Sequence, residues 1–248
     1  MEGFLSLLAY GTKRRLKDFF IIFYNVVYPI GLTFILGYIA TNYFKGDSSV
    51  TSNGYYTLVM IPYFIFSSII TMAYVAKDES FYKTSYRFIA APIGHEAIVF
   101  SKIISCTFVV WLCSIFDLLV SKLILNIYIG DSGLIIITLF LMTAFMSSAI
   151  GIYLGIAFKN FDTLQGILNI PLSIFAILGG TFFPTGSLGK LVEKVSYVSP
   201  LTWINRGIIA SVYDNSTSTI IFSIIIVGLI GAVFTFIAVK AFKKEAFL

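Results

Sequence analysis

The chain has 248 residues, of which 58% are hydrophobic and only 12% charged, with a formal net charge of +5. Soluble domains carry roughly 25% charged residues, and a mean hydropathy of +0.94 excludes a water-soluble fold of this length. The excess apolar surface needs lipid to cover it, and no polar stretch is long enough to form a second domain, so the whole chain reads as one membrane domain.

Residues 2–18 precede any long apolar run. Phe4, Leu7, Leu8 and Gly11 fall at helical spacing and Lys13, Arg14 and Lys17 cluster at the far end, which predicts a short interfacial helix. Six apolar stretches follow, at 19–41, 55–76, 103–125, 133–158, 163–183 and 219–239. A bilayer core of roughly 30 Å needs about 20 apolar residues in a helix, and every stretch meets that length. A backbone in lipid must satisfy its own hydrogen bonds. The expected fold class is therefore all-α: a polytopic membrane protein with six transmembrane helices. The first apolar run is longer than a signal-peptide core and is expected to remain in the mature protein.

Asn42 to Gly54 is rich in Gly, Ser, Thr and Asn and reads as a plain connection. Pro62 falls within the second stretch, where neighbouring helices can re-satisfy the freed backbone. Residues 77–102 do not fit simple connection. They interleave Lys77, Asp78, Glu79, Lys83, Arg87, His95, Glu96 and Lys102 with Phe81, Tyr82, Tyr86, Phe88 and Ile89. Phe81, Ser85, Phe88 and Ile89 share one helical face while Lys83 and Arg87 lie on another. This predicts an amphipathic helix over 78–92, ended by Pro92-Ile93-Gly94.

The Gly-Asp-Ser-Gly turn before the fourth stretch is tight. Lys159-Asn160-Phe161-Asp162 is also short, which predicts an antiparallel hairpin of the fourth and fifth spans. Residues 179–215 again depart from simple connection. Gly179-Gly180 interrupts an apolar run, Phe182-Phe183-Pro184 follows, and Ser199-Pro200-Leu201-Thr202-Trp203 comes later. Leu188, Leu191, Val192, Val195 and Val198 recur at helical spacing. The pattern predicts a broken or re-entrant helix and short outer helices over 180–215, with Tyr197, Trp203 and Tyr213 as interfacial anchors.

With the N-terminus inside, Lys13, Arg14, Arg15, Lys17, Lys77, Lys83, Arg87, Lys102, Lys159, Lys240, Lys243 and Lys244 fall on the cytoplasmic side. Lys45, Lys190, Lys194 and Arg206 fall outside, and Lys122 lies near an outer helix end. Twelve against four satisfies the positive-inside rule, so both termini are expected in the cytoplasm. Topology accounts for the basic charge, and no nucleic-acid partner is implied.

Candidate chemistry is sparse. No G-x-x-x-x-G-K-[ST] phosphate loop occurs, and no Gly-x-Ser-x-Gly elbow. His95 is the single histidine, so neither a metal site nor a bound cofactor is expected, and no catalytic residue is assigned. Cys106 and Cys113 lie on one predicted helix with Cα atoms about 10 Å apart at 1.5 Å per residue, beyond disulfide reach. Asp117 is the one acid deep within a span. A mid-membrane Asp costs about 2.5–3.5 kcal/mol on insertion scales; it is either a polar contact on a substrate pathway or a structural hydrogen-bonding group. Ser121 shares its face, whereas Lys122 is poorly aligned with it. Gly151-x-x-x-Gly155 permits close helix approach. Asn215-Ser216-Thr217 matches a glycosylation sequon by spacing, a pattern common by chance.

The two irregular segments together resemble the membrane permease subunits of ABC transporters of the type-2 exporter class. Arg87-Phe88-Ile89-Ala90-Ala91-Pro92 through Lys102 looks like the end of that family's cytoplasmic coupling helix. Gly179-Gly180-Thr181-Phe182-Phe183-Pro184 and Ser199-Pro200-Leu201-Thr202 are similar to its stretches after the fifth span. The family commonly has Glu, then Gly-Thr, before the turn; here Lys83-Thr84 stands at the Gly-Thr position and Glu79 lies a few residues earlier.

The resemblance implies a permease in the cell membrane, working as a homodimer or with a related chain. Each copy would engage a cytoplasmic ABC ATPase that binds the ATP and magnesium. Glu79, Phe81, Lys83, Tyr86, Arg87, Phe88 and Pro92 would form the coupling surface. Phe81, Tyr86 and Phe88 would pack into the ATPase, with Lys83 and Arg87 as charge partners. Gly179, Gly180, Phe182, Phe183 and Pro184 would form the outer gate, and Asp117 is the candidate pathway residue. Aromatic and apolar walls without dense charge suit an amphipathic peptide, antibiotic or drug moved outward. A polysaccharide or glycolipid exporter is the alternative within the class, and a channel or membrane scaffold the alternative outside it.

Overall fold

The computed structural model describes residues 2–42, 51–77, 93–129, 132–182, 189–214 and 216–242. Among these, all regular structure is helical. Helix α1 (Glu2–Leu16) precedes α2 (Phe19–Ile39), α3 (Ser52–Ala76), α4 (His95–Leu125), α5 (Gly133–Ala157) and α6 (Phe161–Leu178). Two short helices follow, α7 (Lys190–Ser196) and α8 (Pro200–Ile209), and then α9 (Thr217–Ala241). Six of these, α2 to α6 and α9, are long and apolar enough to cross a membrane. The protein is an all-α, multi-pass membrane protein.

Local chemistry sets the helix starts. The Asp18 carboxylate accepts from the Phe20 and Ile21 amides at 3.0 and 3.3 Å and opens α2. The Thr51 hydroxyl accepts from the Gly54 amide at 3.1 Å, and the Asn160 side chain accepts from the Asp162 and Thr163 amides. Each oxygen satisfies amides that lack an intrahelical partner. Within α2 a wide π turn, Phe23–Val27, precedes Pro29, and the buried Asn25 donates to the Ile21 carbonyl at 2.8 Å.

Helix α3 forms the axis of the bundle. In its most apolar window 89% of residues are buried inside the protein, against 22% for α2, 17% for α6 and 28% for α9. The latter three therefore present most of their surface outward. Helix α5 packs broadly on α3, α4 and α9. The small-residue pattern on α5 explains the closest approach. A Cβ at Gly151 would lie 2.6 Å from the Ile69 carbonyl oxygen and from the Met72 Cβ, and one at Gly155 would meet Ala73 and Ala76. Trp111 pins α4 to α5 by donating to the Ile137 carbonyl at 3.0 Å. Both cysteines are buried, and neither forms a disulfide.

Three expectations need correction. Helix α4 begins at His95, well before residue 103, because its first two turns, which carry His95, Glu96 and Lys102, also bury Ile98 and Val99 in the core. Helix α6 ends at Leu178 instead of running to 183, because Gly180 adopts φ +73°, a left-handed backbone that stops an α-helix. Helices α5 and α6 do not form a packed hairpin. They touch little, and α6 turns instead toward α7, α8 and the end of α3, with Phe161 edge-on to Tyr74 and Phe175 edge-on to Phe66.

Candidate functional site at the two ends of the bundle

At one end of the bundle α3 finishes and α4 begins. The residues expected to form the coupling surface, Glu79, Phe81, Lys83, Tyr86, Arg87, Phe88 and Pro92, lie outside the described residues. Their two stems are described, and they are tied together. The last carbonyls of a helix have no intrahelical partner and attract cations. The Lys102 ammonium answers both needs: it donates to the Val75 and Ala76 carbonyls at 3.3 and 3.1 Å. Its side chain is only 6% exposed, so the bonds form away from water.

A second lysine, Lys77, donates to the Lys159 carbonyl at 3.1 Å and links the same end of α3 to the α5–α6 connection. Partial burial draws its ammonium below the ordinary lysine pKa. His95, at the first turn of α4, packs edge-on against Phe242, 5.9 Å away, just beyond α9.

Helix α1 docks on the same end. Gly11 brings it close to α4: a Cβ there would lie 3.2 Å from the Ser105 hydroxyl. Arg15 is buried, and its Nε donates to the Cys106 sulfur at 3.0 Å. The basic cluster read from the sequence thus divides. Arg15 turns inward, while Lys13 and Lys17 remain exposed.

The opposite end carries the helix break. Past Leu178 the α6 carbonyls lose their helical partners, and side chains from two other helices replace them. The Ser199 hydroxyl adds a second bond at 3.0 Å to the Phe175 carbonyl, which keeps the Gly179 amide, and Thr202 donates to Leu178 at 3.2 Å. Asn205 donates to the Gly179 carbonyl at 2.8 Å. From α3, Tyr55 donates to the Gly180 carbonyl at 2.6 Å and Tyr56 to that of Phe182 at 2.9 Å. Gly179 admits Leu201 of α8, whose Cγ would lie 3.0 Å from an added Cβ. Phe182 meets the Tyr63 ring edge-on at 6.0 Å. Phe183 and Pro184 lie outside the described residues.

Helix α8 is no surface lid. Leu201, Ile204 and Ile208 are fully buried, and the helix packs against α9 and α3. Helix α7 stays outside, with Leu191 and Val195 exposed. Arg206 joins the two short helices. It pairs with Glu193 at 3.3 Å, stacks on the Tyr197 ring at 4.2 Å and donates to the Tyr197 hydroxyl. Trp203 donates to the Tyr197 carbonyl at 2.9 Å.

Asp117 lies between the two ends. It is 2% exposed, and Ser121 on the same face is equally buried. The Asp117 Oδ1 has no hydrogen-bond partner among the described residues. Lys122 is exposed. No group of three or more His, Cys, Asp or Glu able to hold a metal occurs among the described residues.

A family model described as ABC-2 type transporter matches residues 2–213. The chain belongs to the ABC-2 transporter membrane family. It is a permease subunit, and the match spans both the tied stems of α3 and α4 and the α6 break. No curated protein matches the permease.

Sequence reasoning reached Gly179, Gly180 and the Ser-Pro-Leu-Thr run but missed Tyr55, Tyr56, Asn205 and the role of Lys102. The adjacent tyrosines at the start of a span were the available signal, because a tyrosine hydroxyl inside apolar surroundings must find an acceptor.

Proposed function

We propose that this permease is the transmembrane half of an ATP-driven exporter that moves an amphipathic or hydrophobic substrate, such as a peptide, antibiotic or drug, out of the cell. The family match over residues 2–213 carries the reading. ABC-2 permeases generally work with an ABC ATPase, and this chain has no phosphate loop of its own. ATP and magnesium therefore belong to a separate cytoplasmic subunit. Two permeases, identical or related, form the transport unit.

The end bearing α1 and the 78–92 segment faces the cytoplasm, a placement the lysine and arginine distribution supports. Glu79, Phe81, Lys83, Tyr86, Arg87, Phe88 and Pro92 contact the ATPase. The Lys102 tie supports this assignment: stems joined by buried charge-assisted bonds move as one stiff elbow. The break at Gly179, Gly180 and Phe182, with Phe183 and Pro184, is the outer gate. Its carbonyls depend on side chains of α3 and α8, so displacement of either helix would open it. Asp117 faces the inside of one permease, so a pathway role requires that its helices part during the cycle.

An aromatic ladder supports the substrate class. Phe20 and Tyr24, then Tyr24 and Tyr28, stack along α2 at 6.3 and 6.1 Å, and Phe64 closes on Tyr28 at 5.2 Å. Phe20 and Tyr28 are about half exposed. Such rings bind apolar solutes, and they also stack on sugars, which keeps polysaccharide or glycolipid export as the second reading.

Co-purification with an ABC ATPase, followed by ATPase assays in reconstituted vesicles with peptides, drugs and glycolipids, tests the proposal. Phe88→Ala and Arg87→Ala are expected to uncouple hydrolysis from transport. Normal transport in both variants overturns the coupling assignment, and a complex that never recruits a nucleotide hydrolase overturns the exporter reading.

A further inference from the structure

Between α1 and the first half of α4 lies an open apolar groove of about 810 Å³. Leu8 and Leu16 of α1 form one wall, Ile104 and Phe108 of α4 the other, and Lys13 and Lys17 stand on its lining. The two lysines are four residues apart on one helical face, and both are exposed. The neighbouring acid, Asp18, turns its Oδ1 to the Phe20 and Ile21 amides, and the two lysines outnumber it. Arg15 is turned away into the protein. The groove therefore joins an apolar floor to a local positive charge.

Its depth matches a lipid. Lys102 marks the level at which α3 ends. Ile104 and Phe108 lie about 3 and 9 Å further along α4 at 1.5 Å per residue, inside the apolar span. Lys17 lies two residues before the start of α2 at Phe19, where the chain enters the apolar layer. The cations thus sit at headgroup level and the aliphatic walls at acyl-chain level.

We propose that this groove holds an anionic glycerophospholipid of the surrounding leaflet, with its phosphate on Lys13 and Lys17 and an acyl chain along Leu8, Leu16, Ile104 and Phe108. The identification of that leaflet as the cytoplasmic one rests on the orientation proposed above. The lipid site itself does not rest on it.

Native mass spectrometry of the full-length protein in neutral detergent, titrated with dioleoyl phosphatidylglycerol or dioleoyl phosphatidylcholine, tests the site without an ATPase or any transport assay. Two lysines near a lipid surface predict a preference for phosphatidylglycerol of about 30-fold. The double substitution Lys13→Gln, Lys17→Gln is expected to abolish the preference, and Lys13→Arg, Lys17→Arg to keep it. Ala9→Trp, which fills the groove, is expected to weaken binding of both lipids, while Lys194→Gln on α7 changes neither. Equal affinity for the two lipids, a preference that survives the glutamine pair, or unaltered binding in Ala9→Trp overturns the proposal. If the glutamine pair does not fold, the wild-type lipid comparison and Ala9→Trp still decide it. A second copy of the chain as the occupant would appear as a dimer lost in Ala9→Trp without added lipid, and would equally overturn it.

Discussion

Replacing Lys102 by Met keeps most of the apolar stem and removes the ammonium. The Val75 and Ala76 carbonyls, 3.3 and 3.1 Å from Nζ, then lose a charged donor. Hydrogen bonds to charged groups contribute about 1.5–3 kcal/mol, and a buried acceptor left empty costs about 1–3 kcal/mol. The two bonds share one donor and are not additive, so about 3 kcal/mol is the working figure. For a chain of this size about 1 kcal/mol moves the melting temperature by about 2–4 °C, so Lys102→Met is expected to melt about 6–12 °C lower in detergent. Lys77→Met removes one bond at an exposed site, which is worth about 1 kcal/mol or less and about 2–4 °C. Hydrogen exchange adds a local readout: amides in the last turn of α3 are expected to exchange faster in Lys102→Met only. Equal melting of both variants, with unchanged exchange at residues 73–77, refutes the claim that Lys102 clamps the stems.

Three further perturbations follow from the packing. Gly155→Val places a side chain against Ala73 and Ala76, where backbone cannot yield; overpacking of about 1–3 kcal/mol or more is expected. Gly166→Val, with nothing within 4 Å, is expected to melt like wild type, and thermal unfolding in detergent compares them. Gly180→Ala forces a Cβ onto φ +73° at about 1–2 kcal/mol. Tyr55→Phe empties the Gly180 carbonyl at about 1–3 kcal/mol, so both are expected to destabilise, and substrate leakage from vesicles reads their effect on the gate. Asp117→Asn replaces a buried carboxyl whose Oδ1 lacks a partner among the described residues, so stability is expected to hold or rise. A marked fall in melting temperature would reveal a partner, and vesicle transport by the same variant reads any pathway role.

Much of the architecture was legible because its causes are local. A helix that crosses lipid must be long and apolar, and 55–76, 133–158 and 219–239 declare this within single stretches of chain. The observed helices, Ser52–Ala76, Gly133–Ala157 and Thr217–Ala241, differ from those stretches only at their ends. Caps such as Thr51 and Asn160 extend helices past the apolar runs, and length alone does not register them. Gly179-Gly180 was visible as a break because glycine takes the left-handed backbone found at Gly180 without a Cβ penalty.

Partner choice was not legible. The short connection predicts a pairing of α5 with α6, yet connection length limits distance without selecting which faces pack. Gly151 and Gly155 gave their close approach to α3 instead. Arg15 belonged to a basic cluster in the sequence, and only its burial against Cys106, 91 residues away, separates it from Lys13 and Lys17.

The amino-acid order by itself determined that this protein lives in lipid, roughly where its helices run and where one of them is interrupted, since hydropathy and backbone strain act within a few neighbouring residues. The tertiary structure alone decided that Lys102 closes the end of α3 and that Tyr55 reaches Gly180 across 125 residues of chain. Those bonds exist because orphan carbonyls in an apolar interior must take whatever donor the packing delivers, and packing is a property of the assembled bundle.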